Sequence, residues 1–115
     1  MVGNVNMEVE NLSHCGGYDV VIHLIQGKRE CKTDRVEETW AGKNHFFGRG
    51  TCKNIFFHVE QPSIDFKLIT KSENAFCLKA VQIEVGKAIF RSKNCHQCWH
   101  NKNNNDKLYT AYKIN

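Results

Sequence analysis

The residues best suited to chemistry are six cysteines, Cys15, Cys31, Cys52, Cys77, Cys95 and Cys98, and six histidines in a chain of 115 residues. The densest group is Cys95-His96-Gln97-Cys98-Trp99-His100, a C-x-x-C pair with imidazoles on either side. A structural zinc site would need a further ligand pair at matching spacing. Outside this group no C-x-x-C or H-x-x-x-H occurs, so Cys52 or Cys77 would have to act as lone ligands. A redox C-x-x-C normally opens a helix after a strand in a βαβ unit, and no such unit is visible. An even number of cysteines spread along a short chain reads instead as a disulfide framework formed in an oxidising compartment. Disulfides are therefore expected at all six positions, with no metal, and the roughly 15 possible connectivities stay open. Asn11-Leu12-Ser13 is an N-glycosylation sequon, which agrees with a secreted, extracellular glycoprotein.

A second group of residues points to binding. Gly42-Lys-Asn-His-Phe-Phe-Gly-Arg-Gly50 sets Phe46 and Phe47 side by side among Lys43, His45 and Arg49. Adjacent rings at a loop tip can enter an interface while cations hold phosphates, and Trp99 is placed comparably in the Cys95–His100 loop. Lys28, Arg29, Lys32 and Arg35 lie close together, and Lys87, Arg91 and Lys93 form another basic group. The formal net charge is +4, enough to favour anionic surfaces. It falls short of the charge and stacking motifs of a dedicated nucleic-acid binder. An enzymatic alternative is a small basic secreted nuclease, with His23 and His58 for proton transfer and Lys53, in Cys52-Lys53-Asn54, on the phosphate. The chain lacks the ribonuclease-type C-K-x-x-N-T-F run, and no nucleophile elbow, P-loop or H-E-x-x-H appears.

The elements that must position these residues read as strands. Tyr18–Ile25 (YDVVIHLI) is a β-branched run with Tyr18, Val20, Ile22 and Leu24 on one face. Val36–Trp40 (VEETW) is a short strand, and Asn54–Glu60 (NIFFHVE) another with Ile55, Phe57 and Val59 aligned. After the turn Gln61-Pro62-Ser63, Ile64–Thr70 alternates with Ile64, Phe66 and Leu68 inward. In Phe76–Val85 the apolar phase slips by one residue, which predicts a β-bulge near Ala80. Gly86-Lys87 reads as a hairpin turn into Ala88–Phe90. Ser92–Asp106 reads as a polar loop, and Lys107–Ile114 as a closing strand with Leu108, Thr110, Tyr112 and Ile114 aligned. No segment holds helical periodicity over three turns.

The expected fold class is all-β: one antiparallel sandwich of about seven to eight short strands, stapled by disulfides, spanning residues 15–115. Residues 1–14 are expected to lead into it loosely. Hydrophobic residues make up 41% and charged residues 24% of the chain, which excludes disordered and fibrous classes. No apolar run approaches the roughly 20 residues of a membrane-spanning helix. Met1–Glu10 lacks the basic start and apolar stretch of a signal peptide, so the start reads as a cytosolic terminus or as a mature chain placed behind a methionine.

The strand order resembles a PLAT/LH2 domain, the β-sandwich appended to lipases and lipoxygenases. The residues carrying the likeness are Tyr18–Ile25, the hairpin-like Asn54–Glu60 and Ile64–Thr70, and Ala75–Phe90 with its pattern aromatic-x-L-x-x-V-x-I-x-V. Phe76 stands where the family usually carries a Trp. The resemblance implies a non-catalytic module that contacts membranes, lipids or partner proteins. Some members bind calcium through loop carboxylates, for which Asp19, Asp34, Glu37 and Glu38 are nearest, without the density of an EF-hand loop. The expected function is thus a secreted binding module with no cofactor. It would recognise a membrane surface or lipid through Phe46, Phe47, Lys43, Arg49, Trp99, Lys28 and Arg29. The alternative is a protein-binding effector, such as a defence or venom component, using the same loops on an extracellular protein.

Overall fold

A computed structural model describes residues 1–39 and 42–115. Trp40, the expected end of the VEETW strand, and the side chain of Tyr18 lie outside the described residues. The strands are β1 (Val2–Val9), β2 (Tyr18–Gln26), β3 (Arg29–Lys32), β4 (Val36–Thr39), β5 (Asn44–Phe47), β6 (Ser63–Thr70), β7 (Phe76–Val85), β8 (Ala88–Ser92), β9 (Cys98–His100) and β10 (Tyr109–Lys113). Short 3-10 turns occupy Gly50–Asn54 and Lys102–Asn104.

All strand pairs are antiparallel, and the ten strands form one continuous sheet in the order β3-β2-β6-β10-β8-β7-β1-β5, with β4 added to β2 and β9 to β7. The all-β class with disulfides is as expected, but the strands number ten rather than seven or eight. The sheet curls so that its halves share one core, and its outer strands meet. Asp34 N–H donates to Gly48 O at 2.8 Å, and His45 on β5 lies 3.4 Å from Glu38 on β4. Val20, Ile22 and Leu24 of β2, Val5 and Met7 of β1, Ile83 of β7 and Phe66, Phe76 and Phe90 share one buried core.

Three expectations are corrected. The first concerns residues 1–14, which open with β1, held between β5 and β7 in the sheet. Val5, Met7 and Val9 alternate inward while Asn6 and Glu8 occupy the outward phase. The polar residues that suggested a loose leader are simply the outer face of a half-buried strand. Asn54–Glu60, the second, makes no ladder and is a loop that follows a 3-10 turn. Its alternation nonetheless holds: Ile55, Phe57 and Val59 pack on the core. The third lies in β10, which has the opposite phase to that expected. Ala111 is buried and Tyr109 packs inward, whereas Leu108, Tyr112 and Ile114 are exposed. Small Ala111 fits where β6 and β8 crowd in from both sides, so volume overrode hydrophobicity.

Other readings agree with the structure. The bulge near Ala80 exists: Glu8 pairs with Ala80 but Val9 with Leu78, leaving Lys79 as the extra, exposed residue. Gly86, at φ 58°, makes the tight turn from β7 to β8, a conformation glycine adopts without steric cost. Three disulfides join Cys15 to Cys77, Cys31 to Cys52 and Cys95 to Cys98. The first ties the segment before β2 to β7, the second ties β3 to the Gly50–Asn54 turn, and the third closes the loop before β9.

Candidate functional site

Strand registers gather one set of loops at a single end of the fold. Val2 of β1 faces Val85 of β7, Ile25 of β2 faces Asp65 of β6, and Tyr112 of β10 faces Ser63. The Gly27-Lys28 turn, the Gly86-Lys87 turn, the start of β1, the end of β10 and the loop 55–62 therefore lie together.

The loop is the centre of this end and is fastened from several sides. Val2 N–H donates to Ile55 O at 3.1 Å, and Arg29 Nη1 donates to Phe56 O at 2.8 Å. Gln26 accepts the His58 N–H at 2.7 Å through Oε1 and donates through Nε2 to Ser63 O at 3.1 Å. Phe57 is buried in the core while its neighbour Phe56 is 69% exposed. A large apolar ring is thus held out in water by a backbone that is tied down, so its exposure follows from the architecture. Met1, at the start of the chain on the same end, is exposed, with its sulfur 3.5 Å from Arg49 Nη1.

Six basic residues belong to the same end of the fold. Lys28 and Arg29 come from the β2–β3 turn, Arg49 from the end of β5, Lys53 from the 3-10 turn, and Lys87 and Lys113 from the neighbouring strand ends. None of these six forms an ion pair among the described residues. The Cys31–Cys52 bridge, with Cα atoms 5.0 Å apart, and the Lys32 N–H bond to Thr51 Oγ1 at 2.8 Å hold the 3-10 turn against β3. The geometry can present an apolar tip and several unpaired cations to an anionic surface.

The sequence-predicted residues divide between the two ends of the fold. Lys28, Arg29 and Arg49 come together here. Lys43 precedes β5 at its other end, and Trp99 on β9 faces Cys77. Phe46 and Phe47 are not at a loop tip: they sit in β5, where the pleat sends them to opposite faces. Phe46 is 70% exposed on the outer surface, whereas Phe47 is buried in the core, which corrects its expected place in an interface. Of the other basic residues, Arg91 pairs with Glu8, and Arg35 holds buried Asp19 at 2.5 Å. Asp19 is thereby committed to a salt bridge. Sequence reasoning missed Phe56 because it was counted within a strand. Its signal was present, since Phe56 shares its phase with Asn54, His58 and Glu60, an aromatic in an otherwise polar register.

The histidines divide likewise. His23 lies 3.4 Å from Glu30, and burial together with nearby Lys32 lowers its pKa. His58 belongs to the loop 55–62. His100 is wholly buried. Its Nε2 donates to Leu68 O at 2.7 Å and its Nδ1 accepts from Tyr109 OH at 2.8 Å, since a carbonyl can only accept. Burial lowers the His100 pKa and pushes Tyr109 up to about 12. This pair is satisfied and structural.

No family model and no curated protein matches the chain. Among solved structures the chain is similar to a lipoxygenase variant, with a TM-score of 0.56, 17% identity and 96% of this chain covered. That match takes in 16% of the lipoxygenase chain, so the likeness is to one part of it. At this identity the likeness shows a shared fold, the PLAT/LH2-like β-sandwich that the strand order suggested.

Proposed function

We propose that this domain is a secreted, non-catalytic module that docks on anionic membrane surfaces through the end centred on Phe56. The observation that carries the reading is an exposed ring on a fastened loop, at an end of the fold whose six basic residues form no ion pair among the described residues. Each basic side chain near an anionic leaflet contributes about 1 kcal/mol of attraction. Burying one phenyl ring adds roughly 1.5–3 kcal/mol. The two contributions add up to a reversible interfacial contact. The three disulfides fit an oxidising, extracellular setting.

Vesicle co-sedimentation tests this reading. The protein is expected to bind phosphatidylserine-containing vesicles at low salt, to release as salt rises, and to ignore neutral phosphatidylcholine. Phe56→Ala should weaken binding about tenfold, with Phe46→Ala as the comparison at a second exposed ring. Equal binding to neutral vesicles, or no loss with Phe56→Ala, would overturn the docking role. An absence of vesicle binding would turn attention to an extracellular protein partner.

A further inference from the structure

A groove opens along β10 where strand pairing runs out. β8 ends at Ser92, opposite Ala111 of β10. Beyond that point the chain turns away to Cys95, whose N–H donates to Lys79 O at 2.9 Å. Tyr109 and Thr110 remain paired to β6 alone. The wedge left between β10 and β7 has a volume of about 290 Å³ and a floor formed by buried Leu78. That size is near the lower limit of small-molecule sites, roughly 300–1,000 Å³.

The walls are apolar and the margins cationic. Lys107 Nζ stands 5.0 Å from the Tyr109 ring centroid, and Lys93 Nζ 5.7 Å from that of Tyr112. Neither ammonium is in an ion pair among the described residues. Each stands over a ring face, a weak attraction that a carboxylate readily displaces. Ser92 Oγ accepts the Val81 N–H at 2.8 Å, which leaves its hydroxyl proton to be donated from a nearly buried position. Across β10, Asp65 accepts the Thr110 hydroxyl at 2.9 Å on the β6 side, and exposed Asp106 precedes Lys107 in the chain.

We infer that this groove binds a small organic monoanion, a carboxylate carried on an apolar body about the size of a phenyl ring with a short chain. The carboxylate would lie between Lys93 and Lys107, and the body would rest on the tyrosine rings over Leu78. An inorganic anion would leave the apolar walls unused, and an amine would meet two like charges. The inference stands apart from membrane docking, which uses other residues at another end.

Calorimetric titration with phenylbutyrate, alongside its neutral analogue phenylbutanol, tests it. Phenylbutyrate is expected to bind, with the alcohol at least tenfold weaker, and amide shifts to centre on Tyr109 and Tyr112. Lys93→Met combined with Lys107→Met should reduce phenylbutyrate to the level of the alcohol. Lys93→Arg with Lys107→Arg should restore it, which a folding defect would not allow. Phe56→Ala should leave this binding unchanged, so the groove and the docking end can fail separately. No binding of phenylbutyrate, equal affinity for the alcohol, or an unaffected double-methionine variant would overturn the proposal.

Discussion

The two ends of the sheet are built from similar loops but settle their charges in opposite ways. At the end bearing Glu10 and Glu73 the carboxylates find bases, while Lys93 and Lys107 there stay out of ion pairs among the described residues. Glu10 accepts from His96 and from Gln97 N–H, both at under 3 Å, and these bonds hold its carboxyl below the usual range. Glu73 pairs with Lys102 at 2.9 Å, and Asp19 with Arg35. At the Phe56 end the cations face no such partners and an aromatic ring stands in water. Surface pairs at the first end are worth little in stability, commonly 0–1 kcal/mol, but they neutralise its carboxylates. Leaving the second end unneutralised costs little in folding and keeps its field available for a ligand.

Several measurements would sharpen or break that contrast. The largest effect is expected from the buried partner of an exposed ring. Phe47→Ala should destabilise the fold by about 3–5 kcal/mol through a core cavity. Phe56→Ala should change stability by no more than about 0.5 kcal/mol while weakening vesicle binding. Equal losses of stability in urea unfolding would mean that Phe56 is a packing residue. Next, replacing Lys28, Arg29 and Lys53 together with glutamine should cost about 3 kcal/mol of vesicle affinity, near one hundredfold. The same change at Lys43, Lys71 and Lys102 should cost far less. A similar loss from both sets would show that only net charge matters.

The disulfides should divide by the loops they close. With sequence separations of 62 for Cys15–Cys77, 21 for Cys31–Cys52 and 3 for Cys95–Cys98, chain entropy predicts losses of about 4, 3 and 2 kcal/mol for the paired serine variants. Removing Cys31–Cys52 should also weaken vesicle binding, because that bridge fastens the turn carrying Lys53. The smallest effect is that of pH. Burial holds His23, His45 and His100 below the usual imidazole value. As pH falls below about 6.5 the unfolded chain takes up protons first, so stability is full above that pH and declines on acidification. Urea midpoints at pH 7.5 and pH 5 should show this decline, and His100→Gln should reduce it. An unchanged slope would place the titration elsewhere.

What could be read in advance followed from local pattern. The strands β2, β6 and β7 announce themselves by β-branched alternation, and the phase slip in β7 marks its bulge because inward residues must stay inward. Lys28, Arg29 and Arg49 were recognisable as cations near turns. β1 was missed because its outward asparagines and glutamate dilute the signal. β10 was taken in the wrong phase because Ala111 is small enough to sit between crowded strands, a fact about neighbours rather than about the segment. The groove was unreadable, since it arises where β8 leaves β10 and residues far apart in the chain form its sides.

Residue order by itself therefore determined an all-β chain, cysteines committed to disulfides, and a modest positive charge, since each depends on composition or on periods of a few residues. Which phenylalanine of each adjacent pair meets water, which cations gather, and which cysteines join were decided only by the tertiary structure. Pleat and register send Phe47 inward and Phe46 outward, and the fastened loop buries Phe57 while leaving Phe56 in water. The fold also brings Cys15 to Cys77 across a sequence separation of 62. Such outcomes depend on contacts between distant segments, which no local pattern encodes.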